Sequence, residues 1–144
     1  MKALIIDDER LARVELKRLL SPYKEINIVG EAVNADDAVA KINELNPDLI
    51  FLDIQMPGKT GFELLEELDK VPTVIFTTAY DEFALKAFEY NAMDYLLKPI
   101  KPKRLEETVK KLIERDRKES LLNLDKPVLS EDDQVFVKDG ERCW

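Results

Sequence analysis

Histidine is absent from the 144 residues. That absence excludes a Ser-His-Asp or Cys-His catalytic site, a His-ligated metal site and a histidine phosphocarrier. The single cysteine, Cys143, excludes an internal disulfide and a cysteine-rich zinc site. No apolar run approaches the roughly 18–20 residues that a membrane helix needs. The first such run, Ala3-Leu4-Ile5-Ile6, stops at Asp7-Asp8 and is too short for a signal peptide. The expected address is therefore the cytoplasm, with no membrane partner. There is no G-x-G-x-x-G after that run and no G-x-x-x-x-G-K-[ST] in the chain. Dinucleotide-binding and P-loop readings lose their main support.

What is present reads as one globular domain with a short remainder. The chain is 45% hydrophobic and 36% charged, in the range of folded soluble domains. At this length it can bury a core without a disulfide or a metal. The net charge of −8 disfavours nucleic-acid binding, which depends on cations neutralising phosphates. The exception is 101–118, which holds 8 basic residues against 4 acidic ones.

Short apolar runs alternate with helical patterns five times. Ala3–Ile6, Ile26–Val29, Leu49–Leu52, Thr73–Phe76 and Tyr95–Leu97 are continuous and partly β-branched, as in strands buried on both faces. Between and after them come helical spacings. These are Ala12/Leu16/Leu19/Leu20, Ala35/Ala38/Ile42/Leu45, Phe62/Leu65/Leu68, Phe83/Ala84/Ala87/Phe88 and Leu105/Val109/Leu112/Ile113. Ser21-Pro22 and Asn46-Pro47 stop the first two helices. Asn34 suits an N-cap, and Pro102 the first turn of the fifth helix. The alternation predicts an α/β fold, a doubly wound (βα)5 parallel sheet in the order 2-1-3-4-5.

The pattern ends near Lys118. Residues 119–127 read as a linker. Gln134–Lys138, Asp139-Gly140 and Glu141–Trp144 then read as strand, tight turn and a second strand cut short. A lone hairpin is marginal in water, so 128–144 reads as the start of a further domain.

The strand ends carry the chemistry. Strand 1 runs into Asp7-Asp8, strand 3 into Asp53, strand 4 into Thr77-Thr78 and strand 5 into Lys98-Pro99. In an open parallel sheet these share the carboxyl edge, and strands 1 and 3 flank the topological switch point. Converging carboxylates repel unless a cation neutralises them. Lys98 supplies one charge, and a hard divalent ion such as Mg2+, which takes oxygen ligands, fits the remainder. Taken singly, each residue also has an ordinary reading: Asp7-Asp8 or Thr78 as a helix cap, Lys98 as a loop lysine.

Together, Asp7-Asp8-Glu9, Leu52-Asp53-Ile54-Gln55-Met56-Pro57-Gly58, Thr78-Ala79 and Lys98-Pro99 resemble the receiver domain of bacterial two-component response regulators over residues 1–118. The resemblance implies a flavodoxin-like fold. It implies that Asp53 accepts a phosphoryl group from a sensor histidine kinase. Asp8 and Asp53 would ligate Mg2+ directly, Asp7 through water, and Gln55 through its backbone carbonyl. Thr78 corresponds to the switch hydroxyl, Lys98 to its ion-pair partner, and Tyr95 to the aromatic that follows the switch. The Lys98-Pro99 peptide is expected to be cis. Phosphorylation then changes the face of helix 4, strand 5 and helix 5, which commonly forms the active homodimer. Two readings of helix 5 stand together. Its basic residues, Arg104 among them, pair across a dimer with Asp81, Glu82, Glu89 and Asp94, or they form a solvated face with local pairs.

The 128–144 segment resembles the opening strands of a LytTR-type (LytR/AlgR-like) DNA-binding domain, as in Phe136-Val137-Lys138-Asp139-Gly140-Glu141-Arg142. It implies a transcriptional regulator that contacts DNA only through a domain missing here. One alternative is an Mg2+-dependent phosphohydrolase with an Asp nucleophile. Its usual second Asp, two residues on, is replaced here by Gln55, which cannot act as acid or base. The other alternative is a receiver-like scaffold that never takes phosphate. The leading reading is a phosphoacceptor that assists its own phosphorylation and dephosphorylation, and not an enzyme.

Overall fold

The computed structural model describes residues 1–125. The hairpin expected at 128–144 lies outside the described residues. The elements run β1 (Lys2–Ile6), α1 (Arg10–Leu20), β2 (Asn27–Ala32), α2 (Ala35–Leu45), β3 (Leu49–Asp53), α3 (Gly61–Glu66), β4 (Thr73–Thr78), α4 (Ala84–Glu89), β5 (Asp94–Leu97) and α5 (Pro102–Asp125). The strands form one parallel sheet in the order β2-β1-β3-β4-β5. The fold is the flavodoxin-like (βα)5 arrangement that the alternation predicts.

Two compact units divide the chain, Met1–Val109 and Lys110 onward. The whole sheet and the first turns of α5 belong to the first unit. The described part of the second is the remainder of α5, with an Arg115–Glu119 ion pair along the helix.

Alternation along the strands splits the core. Leu4, Ile6, Ile50, Leu52, Val74 and Phe76 join a cluster with Ala38 and Ile42 of α2, Phe62 and Leu65 of α3, and Ala87 of α4. Ile5, Phe51 and Ile75, equally buried, are left for the opposite face. Right-handed crossovers put α1 and α5 on that side, where Leu16, Leu19, Leu20, Leu105 and Val109 are buried. Asn34 caps α2 by accepting the Asp37 N–H, and Asn46 closes it in the left-handed conformation. Pro102 is the first residue of α5.

Three expectations need correction. Helix 4 was to bury Phe83, Ala84, Ala87 and Phe88, but only Ala87 is buried and Phe88 is 79% exposed. At six residues α4 is under two turns, too short to present a four-residue stripe. Leu68 falls beyond the end of α3 at Glu66, because Thr60 starts that helix and six residues complete it. Residues 119–125, read as linker, continue α5. No proline or glycine lies between 103 and 126, so the helix outlasts its apolar stripe.

β5 is fastened to α5 by a polar clamp. The Asp94 carboxylate accepts from both terminal nitrogens of Arg104 at 2.6 and 3.0 Å, from the Thr108 hydroxyl at 2.6 Å and from the Tyr95 N–H at 2.8 Å. Asp94 thus pairs with Arg104 of its own chain. Burial works to raise the Asp94 pKa, but these donors outweigh it and hold the carboxyl well below its ordinary value. Asp94→Ala is expected to cost about 2–3 kcal/mol in urea unfolding at pH 7. The native pKa is depressed, so the contribution is complete above the unfolded-state value of about 3.9. It fades as pH falls toward the native pKa. A difference between wild type and variant that grew below pH 4 would contradict this account.

Candidate functional site

The register of the sheet delivers the polar residues to one edge. Ile6 pairs with Leu52, Asp53 with Thr77, and Thr78 with Leu97. The next residues of β1 and β5 are Asp7 and Lys98. Their backbone N–H groups donate to Ala32 and Thr78 carbonyls at 3.0 and 2.7 Å, which extends the ladder one step beyond the strands.

Oxygen atoms of Asp7, Asp8 and Asp53 come within 4.8 Å of one another. Asp7 and Asp53 are buried, and Asp8 is exposed at the mouth. Lys98 Nζ lies 2.6 Å from Asp7 Oδ2 and 3.7 Å from Asp53 Oδ2. Burial works to lower the Lys98 pKa, but the Asp7 hydrogen bond and the charges of Asp53, Asp7 and Glu9 raise it overall. Asp53 has the opposite balance. Burial pushes its carboxyl up from 3.8 to about 7, with Asp7 and Asp8 adding to the rise and Lys98 and the Ile54 N–H opposing it. One lysine does not neutralise three acids, and Asp53 bears the imbalance.

The capping readings do not describe these residues. The N-cap of α1 is Glu9, which makes no side-chain cap, and Asp7 Oδ1 accepts the Glu9 N–H at 2.9 Å within the turn. The N-cap of α4 is Phe83. Thr78, fully buried, accepts the Tyr80 N–H at 3.2 Å. Gln55 is exposed in the loop after β3. The Lys98-Pro99 peptide is cis. Tyr95 is half-buried, and its hydroxyl donates to the Tyr80 carbonyl. It thereby joins β5 to the loop that Thr78 opens.

A divalent cation fits this donor set. It offers carboxylate oxygens only, without nitrogen or sulfur, as a hard ion prefers. It also carries an uncompensated negative charge. One pair of residues beside the site was not legible from sequence: Arg13 with Glu31. Nothing in their spacing separates them from a solvated charged face.

Comparison with known proteins agrees with the geometry. The model of the response regulator receiver domain matches residues 3–110. An "uncharacterized response regulatory protein" of Vibrio cholerae is 50% identical over 133 residues, 91% of this chain and 56% of the relative. The transcriptional regulatory protein BtsR of Salmonella typhi is 49% identical over 123 residues, 84% of this chain and 52% of BtsR. The chain spans about half the length of these curated relatives. Among solved structures, the response regulatory domain of MrkE from Klebsiella pneumoniae is 35% identical with a TM-score of 0.73. That similarity covers 80% of this chain and 97% of the MrkE chain. Among the described residues no helix is long and apolar enough to cross a membrane. Sheet order, edge chemistry and family match converge, and the chain belongs to the response regulator receiver domain family.

Proposed function

We propose that Asp53 accepts a phosphoryl group from the phosphohistidine of a sensor histidine kinase, with Mg2+ as the metal. These 144 residues hold no histidine, so the donor histidine lies outside them. The observation that carries this reading is the grouping of Asp7, Asp8 and Asp53 with Lys98 at 2.6 and 3.7 Å from two of them. Asp8 and Asp53 would hold the ion directly, Asp7 through water and Gln55 through its carbonyl. When bound, Mg2+ supplies positive charge that favours the ionised Asp53 and the approach of an anionic phosphoryl group. An Asp53 oxygen bonds to phosphorus as the nitrogen–phosphorus bond of the donor breaks. Lys98 then donates to a phosphoryl oxygen, and the Thr78 hydroxyl turns toward another.

The switch follows from how Thr78 is held. Its hydroxyl accepts the Tyr80 N–H, and the Tyr80 carbonyl accepts the Tyr95 hydroxyl. Turning Thr78 toward the phosphoryl group strains this relay, so Tyr95 follows and the α4–β5–α5 face changes. Leu85 and Phe88 of α4 and Leu97 of β5 are 83%, 79% and 46% exposed, which supports a homodimer through that face. The output domain, of the LytTR DNA-binding type, would begin at 128–144, after a receiver at 1–118. The match covers only 56% and 52% of these relatives, which supports an output domain beyond it. The protein is then a cytoplasmic, signalling phosphoacceptor that assists its own phosphorylation, and it controls transcription through that domain.

Incubation with acetyl phosphate and Mg2+ followed by intact-mass measurement tests this. One phosphoryl adduct is expected in the wild type and none in Asp53→Asn or without Mg2+. An adduct that survives Asp53→Asn defeats the assignment. Multiple turnover on phosphate esters would favour a phosphohydrolase instead.

A further inference from the structure

Asp7 is held at all of its polar atoms. Its N–H donates to Ala32, and its carboxylate accepts from Glu9 and Lys98. Its backbone carbonyl accepts from Arg13 Nη1 at 2.9 Å. The same guanidinium donates from Nε to Glu31 Oε1 at 2.9 Å. Glu31 is fixed in turn by Lys17 Nζ, 2.6 Å from Oε2. The Arg13 side chain is only 13% exposed, so it is not a solvated surface arginine.

The consequence falls on Asp8. A planar peptide moves as one body. Pinning the Asp7 carbonyl therefore fixes the Asp8 N–H and Cα, which leaves Asp8 only its own φ, ψ and side-chain torsions. Unlike an ammonium, a guanidinium can bridge a carbonyl and a carboxylate with two rigidly related donors. An ammonium at the same place can hold one of them well.

We propose that Arg13, locked by Glu31 and Lys17, is a positioning residue that aims the Asp7–Asp8 turn into the acidic pocket. It touches neither phosphoryl group nor ion. The inference deepens the reading of that pocket as an Mg2+ site and rests on it for its first test. Its sign separates it from simple electrostatics. Arg13 is a cation beside an anionic pocket, so removing its charge alone would tighten cation binding. Removing a positioning contact weakens binding, typically by 10–100-fold for groups that orient metal ligands.

The test compares wild type, Arg13→Ala and Arg13→Lys in the full chain by calorimetric titration with Mg2+. Arg13→Ala is expected to weaken binding by about tenfold or more. Arg13→Lys, with the charge kept and the fork lost, should fall between the two. Tighter binding in Arg13→Ala, with Arg13→Lys like the wild type, overturns the proposal. A second measurement needs no metal. Amide hydrogen exchange at Glu9, whose N–H bonds to the Asp7 carboxylate, should accelerate about tenfold in Arg13→Ala, while Leu52 and Phe76 in the core stay unchanged. Equal acceleration everywhere, or none at Glu9, also overturns it. If the wild type binds no Mg2+, the metal reading of the pocket fails, and the exchange measurement alone decides the role of Arg13.

Discussion

Asp53→Asn is expected to make the protein more stable at pH 8, by about 2–3 kcal/mol and roughly 6–10 °C in Tm. The cause is the environment of Asp53. The residue is 5% exposed, and its carboxyl lies near two other acids, with Lys98 3.7 Å away. Its pKa rises from 3.8 to about 7. Three pH units correspond to roughly 4 kcal/mol at about 1.36 kcal/mol per unit. That shift is already net of the attraction to Lys98, and the cost of burying the polar Asn amide in the same place returns part of it. The sign follows from the direction of the shift. A carboxyl whose native pKa is raised favours folding below its unfolded value of about 3.9, and that advantage is lost as pH rises through about 7. Wild type and Asn variant should therefore be nearly equal at pH 4 and diverge to a plateau above pH 8. Urea unfolding across this range is the measurement. A destabilised variant at pH 8, or a difference independent of pH, would show that Asp53 carries no stored electrostatic cost.

The same imbalance connects stability to chemistry. A carboxyl with a pKa near 7 is partly protonated at neutral pH, and a protonated carboxyl is a poor nucleophile. Saturating Mg2+ should therefore stabilise the wild type by about 2.7 kcal/mol at a hundredfold excess over Kd, and the Asn variant by less. On the proposed reading, the pocket trades folding energy for an acceptor that a cation would activate.

Legibility in the sequence followed the range of the interactions. The strands were readable because each is a short apolar run buried on both faces. The edge residues were readable because each directly follows such a run, so the sheet order alone brings Asp7, Asp8, Asp53 and Lys98 together. α4 was misread because six residues carry too little periodicity to fix a phase. Arg13 escaped notice because its role depends on the rotation of α1 relative to the end of β2, which no local pattern encodes. Asp94 and Arg104 were both singled out, as partners across a dimer or as part of a solvated face. Only the packing of α5 on β5 shows that they meet within one chain. The basic stretch at 101–118 thereby gives up one of its charges to the fold.

A substitution that adds one methyl group near Asp53 should have a comparably large effect. Gly61 opens α3 and donates its N–H to the Ile54 carbonyl at 2.9 Å. A Cβ there would lie 2.6 Å from the Asp53 carbonyl oxygen, 3.1 Å from Leu52 Cγ and 3.3 Å from Ile54 Cα. Two of these three atoms are backbone, so no side-chain rotation relieves the contact. Either α3 moves away, against the Thr60–Glu63 capping box, or the Asp53 peptide shifts out of register with Thr77. Gly61→Ala is expected to cost about 2–3 kcal/mol and to slow adduct formation from acetyl phosphate about tenfold or more, since displaced reacting groups lose rate steeply. Gly58→Ala supplies the contrast. Gly58 has φ +86° with nothing within 4 Å of an added Cβ, so its cost is conformational, about 1 kcal/mol. It lies off the Asp53 peptide and should leave the rate of adduct formation within about twofold. If Gly61→Ala matched Gly58→Ala in both stability and rate, the close approach of α3 to Asp53 would have no part in holding Asp53. Glycine at 61 is thus required by contact, and glycine at 58 by backbone angle. Only the first requirement reaches the chemistry.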